Sequence, residues 1–232
     1  MPTDVAMRQP VARSAPRGFP TAMTRIVLVP CGQTDWRAQG RLTGDADLSL
    51  NKVGHRQAVT DAEAIASLQP SLVRCGTEEA TKQTATVIAE RLGLKLKALK
   101  DLREMDLGHW EGLAIEDFRE RFPKVHKQWR ADPMSIEPPE GETVQAVTER
   151  LEKAVQKLVR EYPSETIVVI LGHIAYAILR CQLQDKSFEK YWDYEEGDER
   201  WHAIDIAPPP ASPKKKGFAD KTRPTGGERE RS

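Results

Sequence analysis

The chain has little cysteine, no long apolar run and no net charge, and each absence excludes something. Three cysteines in 232 residues, an odd number, cannot make a disulfide framework, and no Cys-x-x-Cys pair marks a structural zinc site. A reducing, cytoplasmic setting is expected. The longest apolar runs, such as TIVVILG at 166–172, are far too short to span a membrane. The N-terminal segment lacks the continuous apolar stretch of a signal peptide, and its Arg-rich start is only a faint transit-peptide pattern beside an ordinary extension ahead of Met23. Thirty-five basic and thirty-five acidic side chains cancel, but unevenly. Residues 1–24 carry +2 and residues 207–232 carry +4, so the stretch between them carries −6. That balance argues against a nucleic-acid-binding surface on the domain and leaves only weak attachment of the basic tail to RNA or anionic lipid.

What is present is a chain long enough for one well-buried domain with length left for tails. TRIVLVP (24–30) and TIVVILG (166–172) are short, β-branched and apolar throughout, the pattern of strands buried on both faces of a parallel sheet. PSLVRC (70–75), LKLKALK (94–100) and WHAIDIA (201–207) read as weaker strands. Helical patterns lie between them at 51–68, 79–93 closed by Gly93, 115–123, 142–163 and 174–183. Alternating strands and helices predict an α/β fold: a three-layer sandwich with a mostly parallel central sheet and helices on both faces. Residues 24–206 are expected to form this domain, with an insert at about 104–141 capping the strand ends. Residues 1–23 and the Pro- and Lys-rich 207–232 cannot bury enough apolar surface to offset their ordering entropy and are expected to be disordered. In an open α/β sheet ligands bind beyond the carboxyl ends of the strands. Cys31, Cys75 and His173 all fall there, which makes them candidates for one site.

GQTDW, GRLTGDADLSLNKVGHRQA, QTATVIAERLG, LREMDLGHWEGL, PEGETVQAVTERL and VVILGHIAYAILR follow one another in that order. Together they resemble the histidine phosphatase superfamily, the phosphoglycerate-mutase-like fold, over roughly residues 24–206. The resemblance implies a nucleophilic His that forms phosphohistidine, two Arg and an Asn on phosphate oxygens, an acidic general acid and a second His on the transferring group. Fixed cations, a positioned nucleophile and an acid for the departing oxygen are what any phosphoryl transfer requires. Carried over residue by residue, the first Arg and the nucleophile are Pro30 and Cys31, the Asn is Arg37, and the second Arg is Ala80, beside Glu78 and Glu79. Glu104 keeps the acid position and His173 the second His, with Ile174 in place of a small Gly. Gln33, Thr34 and Arg37 are the candidate substrate-binding residues, Arg37 standing in place of the Asn. Loss of a covalent nucleophile can cost on the order of 10⁶ in turnover, and two missing guanidiniums remove the charge that would hold a phosphate.

The expectation is therefore a pseudophosphatase that binds an unidentified small phosphorylated ligand or a protein partner, with no cofactor and no metal. Its rival is a phosphatase or mutase acting through a remodelled site on Cys31 or Arg37. Cys31 to Arg37 matches Cys-x5-Arg, but Asp35 and Trp36 are expected to occupy the loop, and the chain beyond to continue irregularly rather than open a helix. Cys31, Cys75 and His173 could instead hold zinc or form a redox pair, against the simpler reading of ordinary thiols near a vacated pocket. Glu104 and His173 are read as structural first. His55, His109, His126 and His202 show no metal-ligand spacing, and Trp110, Trp129, Trp192 and Trp201 are read as core or insert aromatics.

Overall fold

In the computed structural model, residues 23–185 and 187–208 are described. Of the ends expected to be disordered, 1–23 and 207–232, residues 1–22 and 209–232 lie outside the described residues. Strands β1 (Thr24–Pro30), β2 (Leu72–Cys75), β3 (Lys95–Ala98), β4 (Thr166–Leu171) and β5 (His202–Ile206) form one sheet in the order β3-β2-β4-β1-β5. β1 to β4 are parallel and β5 runs antiparallel along β1. The two runs that read as doubly buried strands are neighbours at the centre, with Ile26 opposite Ile167 and Leu28 opposite Val169.

Alternation along each strand divides the core between the two faces. Ile26, Leu28, Ile167, Val169 and Leu171 meet α6 (Val144–Glu161), α7 (His173–Arg180) and the aromatic residues of the insert. Val27, Val29, Val168, Ile170 and Val73 meet α2 (Lys52–Ile65) and α3 (Glu79–Leu92), together with Cys31 and Cys75. The result is the three-layer α/β sandwich expected. β3 is exposed along its length and carries Lys95 and Lys97, which suits an edge.

Local signals explain the element ends. Asn51 caps α2 by accepting from Val53 and Gly54 N–H, Thr143 caps α6 from Ala146 N–H, and Gly93 closes α3 at φ +66°. α2 stops at Ile65 and continues as a 3₁₀ turn at Ala66–Leu68, while the run expected as a helix to residue 183 is α-helical only to Arg180 before a π turn at Cys181–Asp185. Residues 104–141 hold α4 (Ile115–Arg121) and α5 (Pro123–Ala131). Pro123 starts α5, where its fixed φ and missing N–H cost nothing, so the Pro that reads as a stop also begins a helix. The insert is tied to the chain after β1 by a bridge between Arg41 and Ala114 and by paired backbone hydrogen bonds of Leu42 with Gly112 and Leu113. No helix among the described residues is long and apolar enough to cross a membrane.

Candidate functional site

β1 ends at Pro30 and delivers Cys31 beyond the sheet, where Cys31 N–H donates to Leu171 C=O of β4 at 2.7 Å. The next turn is closed by side-chain hydrogen bonds and by a close backbone contact. Gly32 N–H donates to Thr84 Oγ1 at 2.9 Å, and a Cβ on Gly54 would lie 2.3 Å from the carbonyl oxygen of Gln33. Only glycine permits that approach of α2. Gln33 is committed to the same junction: its N–H donates to Gln57 Oε1 and its Oε1 accepts from Asn51 Nδ2.

The sequence reading puts Asp35 and Trp36 in a loop followed by irregular chain; the structure corrects the first part only, since the chain is irregular from Gln39 to the start of α2 apart from the isolated bridges. Asp35–Ala38 forms a short helix, α1, and Thr34 caps it by accepting from Arg37 N–H. Asp35 and Trp36 therefore sit in a helical turn. Arg37, at its end, is held by the strap between α7 and β5: Nη1 donates to Glu195 Oε1 and Nη2 to Glu195 C=O, both at 2.6 Å, from the short α8 (Tyr191–Glu195).

Cys31, Thr34, Arg37, Glu78, Ala80, Glu104 and His173 line one small cavity of about 30 Å³, room for about one or two waters. Its floor is acidic. Glu104 is 2% exposed, and its carboxyl accepts from Met105 and Ala175 N–H through Oε1 and from Ile174 N–H through Oε2, at 2.6–2.8 Å. The amino end of α7, where the fold offers N–H groups to an anion, is thus filled by the protein's own carboxyl. Gly172 makes this possible, since a Cβ there would stand 2.2 Å from Glu104 Oε2. Burial pushes Glu104 up to about 8 against the three N–H donors. Glu78 lies beside it, 7% exposed, accepting from Glu104 N–H and Thr81 Oγ1, whereas Glu79 turns outward to Lys82 and Gln83.

Burial, with the carboxylates of Glu104 and Glu78 adding to it, raises the Cys31 thiol to about 12 despite Arg37 and Arg200. Burial, aided by the same two arginines, holds His173 well below the ordinary imidazole range, and its Nε2 has no hydrogen-bond partner. At neutral pH the thiol and the imidazole are both uncharged.

Arg200 was not visible as a site residue in the sequence. The antiparallel register that sets His202 opposite Leu28 brings Arg200 level with the end of β1. Its guanidinium donates to the carbonyls of Pro30 and Cys31 at 3.3 Å and to Asp61 Oδ2 at 2.7 Å. A guanidinium thus reaches the end of β1 from the far end of the chain, already paired with a carboxylate that is itself buried.

Cys75 lies on the same sheet face as Cys31 but does not line the cavity, and Cys31, Cys75 and His173 do not gather their ligand atoms within 4.8 Å of one another. Among the described residues the one such group is Asp45, Asp106 and Glu111, all half-buried, which joins two residues of the insert to the chain after β1 and which sequence spacing did not signal.

Comparison with known proteins adds a family to this geometry. The profile of the histidine phosphatase superfamily (branch 1) matches residues 26–209. The chain belongs to the histidine phosphatase superfamily. Within it, the chain is 30% identical over 159 residues to the uncharacterized phosphatase PhoE of Bacillus subtilis (strain 168), spanning 68% of this chain and 76% of that protein. It is 24% identical over 172 residues to phosphoserine phosphatase 1 of Hydrogenobacter thermophilus, spanning 74% and 82%. Among solved structures, mycobacterial glucosyl-3-phosphoglycerate phosphatase complexed with VO3 superposes with a TM-score of 0.67 at 27% identity, covering 77% of this chain and 96% of that one. The matched stretch contains all five strands from Ile26 onward and residues 31, 37, 104 and 173.

Proposed function

We propose that this chain is a member of the superfamily that has lost phosphohistidine chemistry and acts by binding, holding a ligand or partner beside the remodelled pocket. One observation carries the reading: the anion seat at the amino end of α7 is occupied by Glu104, which lines a cavity of about 30 Å³ together with a second buried acidic side chain, Glu78. The two guanidiniums that approach are each spent on a carboxylate, Arg37 on Glu195 and Arg200 on Asp61. A phosphate dianion entering there would meet two carboxyl groups and no unpaired cation among the lining residues. The nucleophile's position holds a thiol, and its neighbour His173 leaves Nε2 without a partner rather than taking that thiol's proton.

The phosphatase names of the relatives favour the second reading, hydrolysis of a phosphomonoester through Cys31. Assay of the full chain against p-nitrophenyl phosphate, with Cys31→Ser beside it, decides between them. No turnover above buffer is expected from either. Turnover by the parent chain that Cys31→Ser abolishes would overturn the binding reading. Pro30→Arg, Cys31→His and Ala80→Arg introduced together are expected to return measurable phosphatase activity, since the scaffold around them is the superfamily's own.

A further inference from the structure

The short helix α8 presents two different faces. Tyr191 and Tyr194, one helical turn apart, pack toward α7: Tyr191 is 1% exposed, and the Arg180 guanidinium lies 3.9 Å over the Tyr194 ring. A few residues on, Glu199 pairs with the same Arg180 and Arg200 with Asp61 of α2, so the strap is fixed there too. The other face carries Trp192, Glu195 and the adjoining Glu196, and reaches elements far away in sequence. Trp192 lies tilted against Trp129 of α5 with ring centroids 5.4 Å apart, and the Arg130 guanidinium sits 4.2 Å over the Trp192 ring. Glu196 pairs with Arg130, and Glu195 with Arg37 of α1.

This second interface is poorly satisfied. The Nε1–H groups of Trp129 and Trp192 are buried in it without acceptors, and so is Nε2 of His173, which lines a cleft together with Glu196. Each of these groups gives up a hydrogen bond to water on closure and gains none in return. The ion pairs that hold the interface shut lie near solvent. The side chains of Arg130 and Glu196 are 43% and 55% exposed, those of Arg37 and Glu195 30% and 14%. Pairs so placed contribute little and are screened by salt. Burial of the Trp192 ring favours closure, while stranded donors and screened charges keep the cost of parting low.

Parting has a consequence for the site. A cleft of about 400 Å³ between the insert and the strand ends and another of about 360 Å³ beside His173 share Gln33, Arg37 and Glu196 in their linings. The contact of Arg37 with Glu195 and Glu196 is therefore the wall between them. We propose that α8 is a clasp. Its tyrosine face stays docked on α7, while the face bearing Trp192, Glu195 and Glu196 parts from α5 and Arg37, joins the two clefts over His173 and releases Arg37 from its carboxylate. Access to the site is gated in this way whether the site binds or hydrolyses what enters.

Hydrogen exchange of the two indole N–H groups, followed by NMR on the isotope-labelled full chain, tests this. Nitrogens cut off from water in the closed state exchange only when the interface parts. Trp129 and Trp192 are expected to exchange at a common rate, at least about 100-fold faster than the backbone amides of the central strand β4, which open with the whole fold. Raising NaCl from about 0.05 M to about 1 M is expected to speed both indoles about three- to tenfold. Glu195→Gln with Glu196→Gln is expected to give the same acceleration at low salt and to remove the salt response. Indoles that exchange as slowly as the β4 amides, that exchange at unrelated rates, or that ignore both salt and the double substitution would overturn the clasp. The salt series needs no variant, so the test stands even where the substituted chain does not fold.

Discussion

The reactivity of Cys31 toward a disulfide reagent such as Ellman's at pH 7.5 separates the two functional readings most sharply. A thiol at the ordinary 9.0 is about 3% thiolate at that pH, whereas one near 12 is about 0.003% thiolate, roughly a thousandfold less. The weaker acid is the better nucleophile once ionised. With a Brønsted slope of about 0.4–0.5, three pH units return a factor of about 15–30. Ionisation alone therefore slows the reaction some 30- to 70-fold against N-acetylcysteine, and a side chain in a residue only 6% exposed slows it further. Cys75, also near 12, and Cys181 are buried too. The native chain is expected to show no thiol reacting near the free rate, and three equivalents after denaturation. One thiol reacting at or above the free-cysteine rate in the native chain, and missing in Cys31→Ser, would refute the reasoning. It would mean that the arginines outweigh burial and the two glutamates, as a cysteine nucleophile requires.

Two stability measurements probe the same site from its supports. Glu104 binds its proton more tightly in the folded chain, at about 8 against an ordinary 4.5, so its contribution is full below about pH 4.5 and is lost as the pH rises through about 8. In urea unfolding, Glu104→Gln is expected to be destabilised relative to the parent, with a gap that shrinks by a few kcal/mol between pH 5.5 and 8.5, the ceiling being about 5 kcal/mol; a gap independent of pH would refute the buried, protonated carboxyl. Gly54→Ala tests the close approach at residues 32–33: helix propensity favours Ala by about 1 kcal/mol, whereas a Cβ 2.3 Å from Gln33 C=O forces the backbones apart at about 1–3 kcal/mol or more. Net destabilisation is expected in thermal or urea unfolding, and a more stable variant would show that the contact yields freely.

The sheet was the most legible part of the chain. TRIVLVP and TIVVILG had to be buried on both faces, because neither has a polar side to offer solvent, and they pair at the centre. Asn51, Thr143 and Gly93 marked helix ends through chemistry local to a few residues. The spacing of motifs in the family order likewise brought Cys31, Arg37, Glu104 and His173 to one end of the sheet before any coordinates. The insert was harder, since Pro123 reads as a breaker until the preceding turn shows it to be a first helical residue. Arg37 could be placed but not its state: the resemblance implies a guanidinium at the phosphate-binding Asn position, and the structure shows one held by Glu195, 158 residues away.

What the sequence determined by itself was the architecture and the identity of the residues at the strand ends, because burial on both faces and local capping act over short stretches. Only the tertiary structure decided their charge and availability. It seated Glu104 on the N–H groups of α7, raised the Cys31 thiol by removing water, and carried Arg200 to the end of β1 by the antiparallel register of β5. It also buried the indole nitrogens of Trp129 and Trp192 without hydrogen-bond partners. Desolvation and pairing depend on what surrounds a group in three dimensions, and no spacing along the chain encodes them.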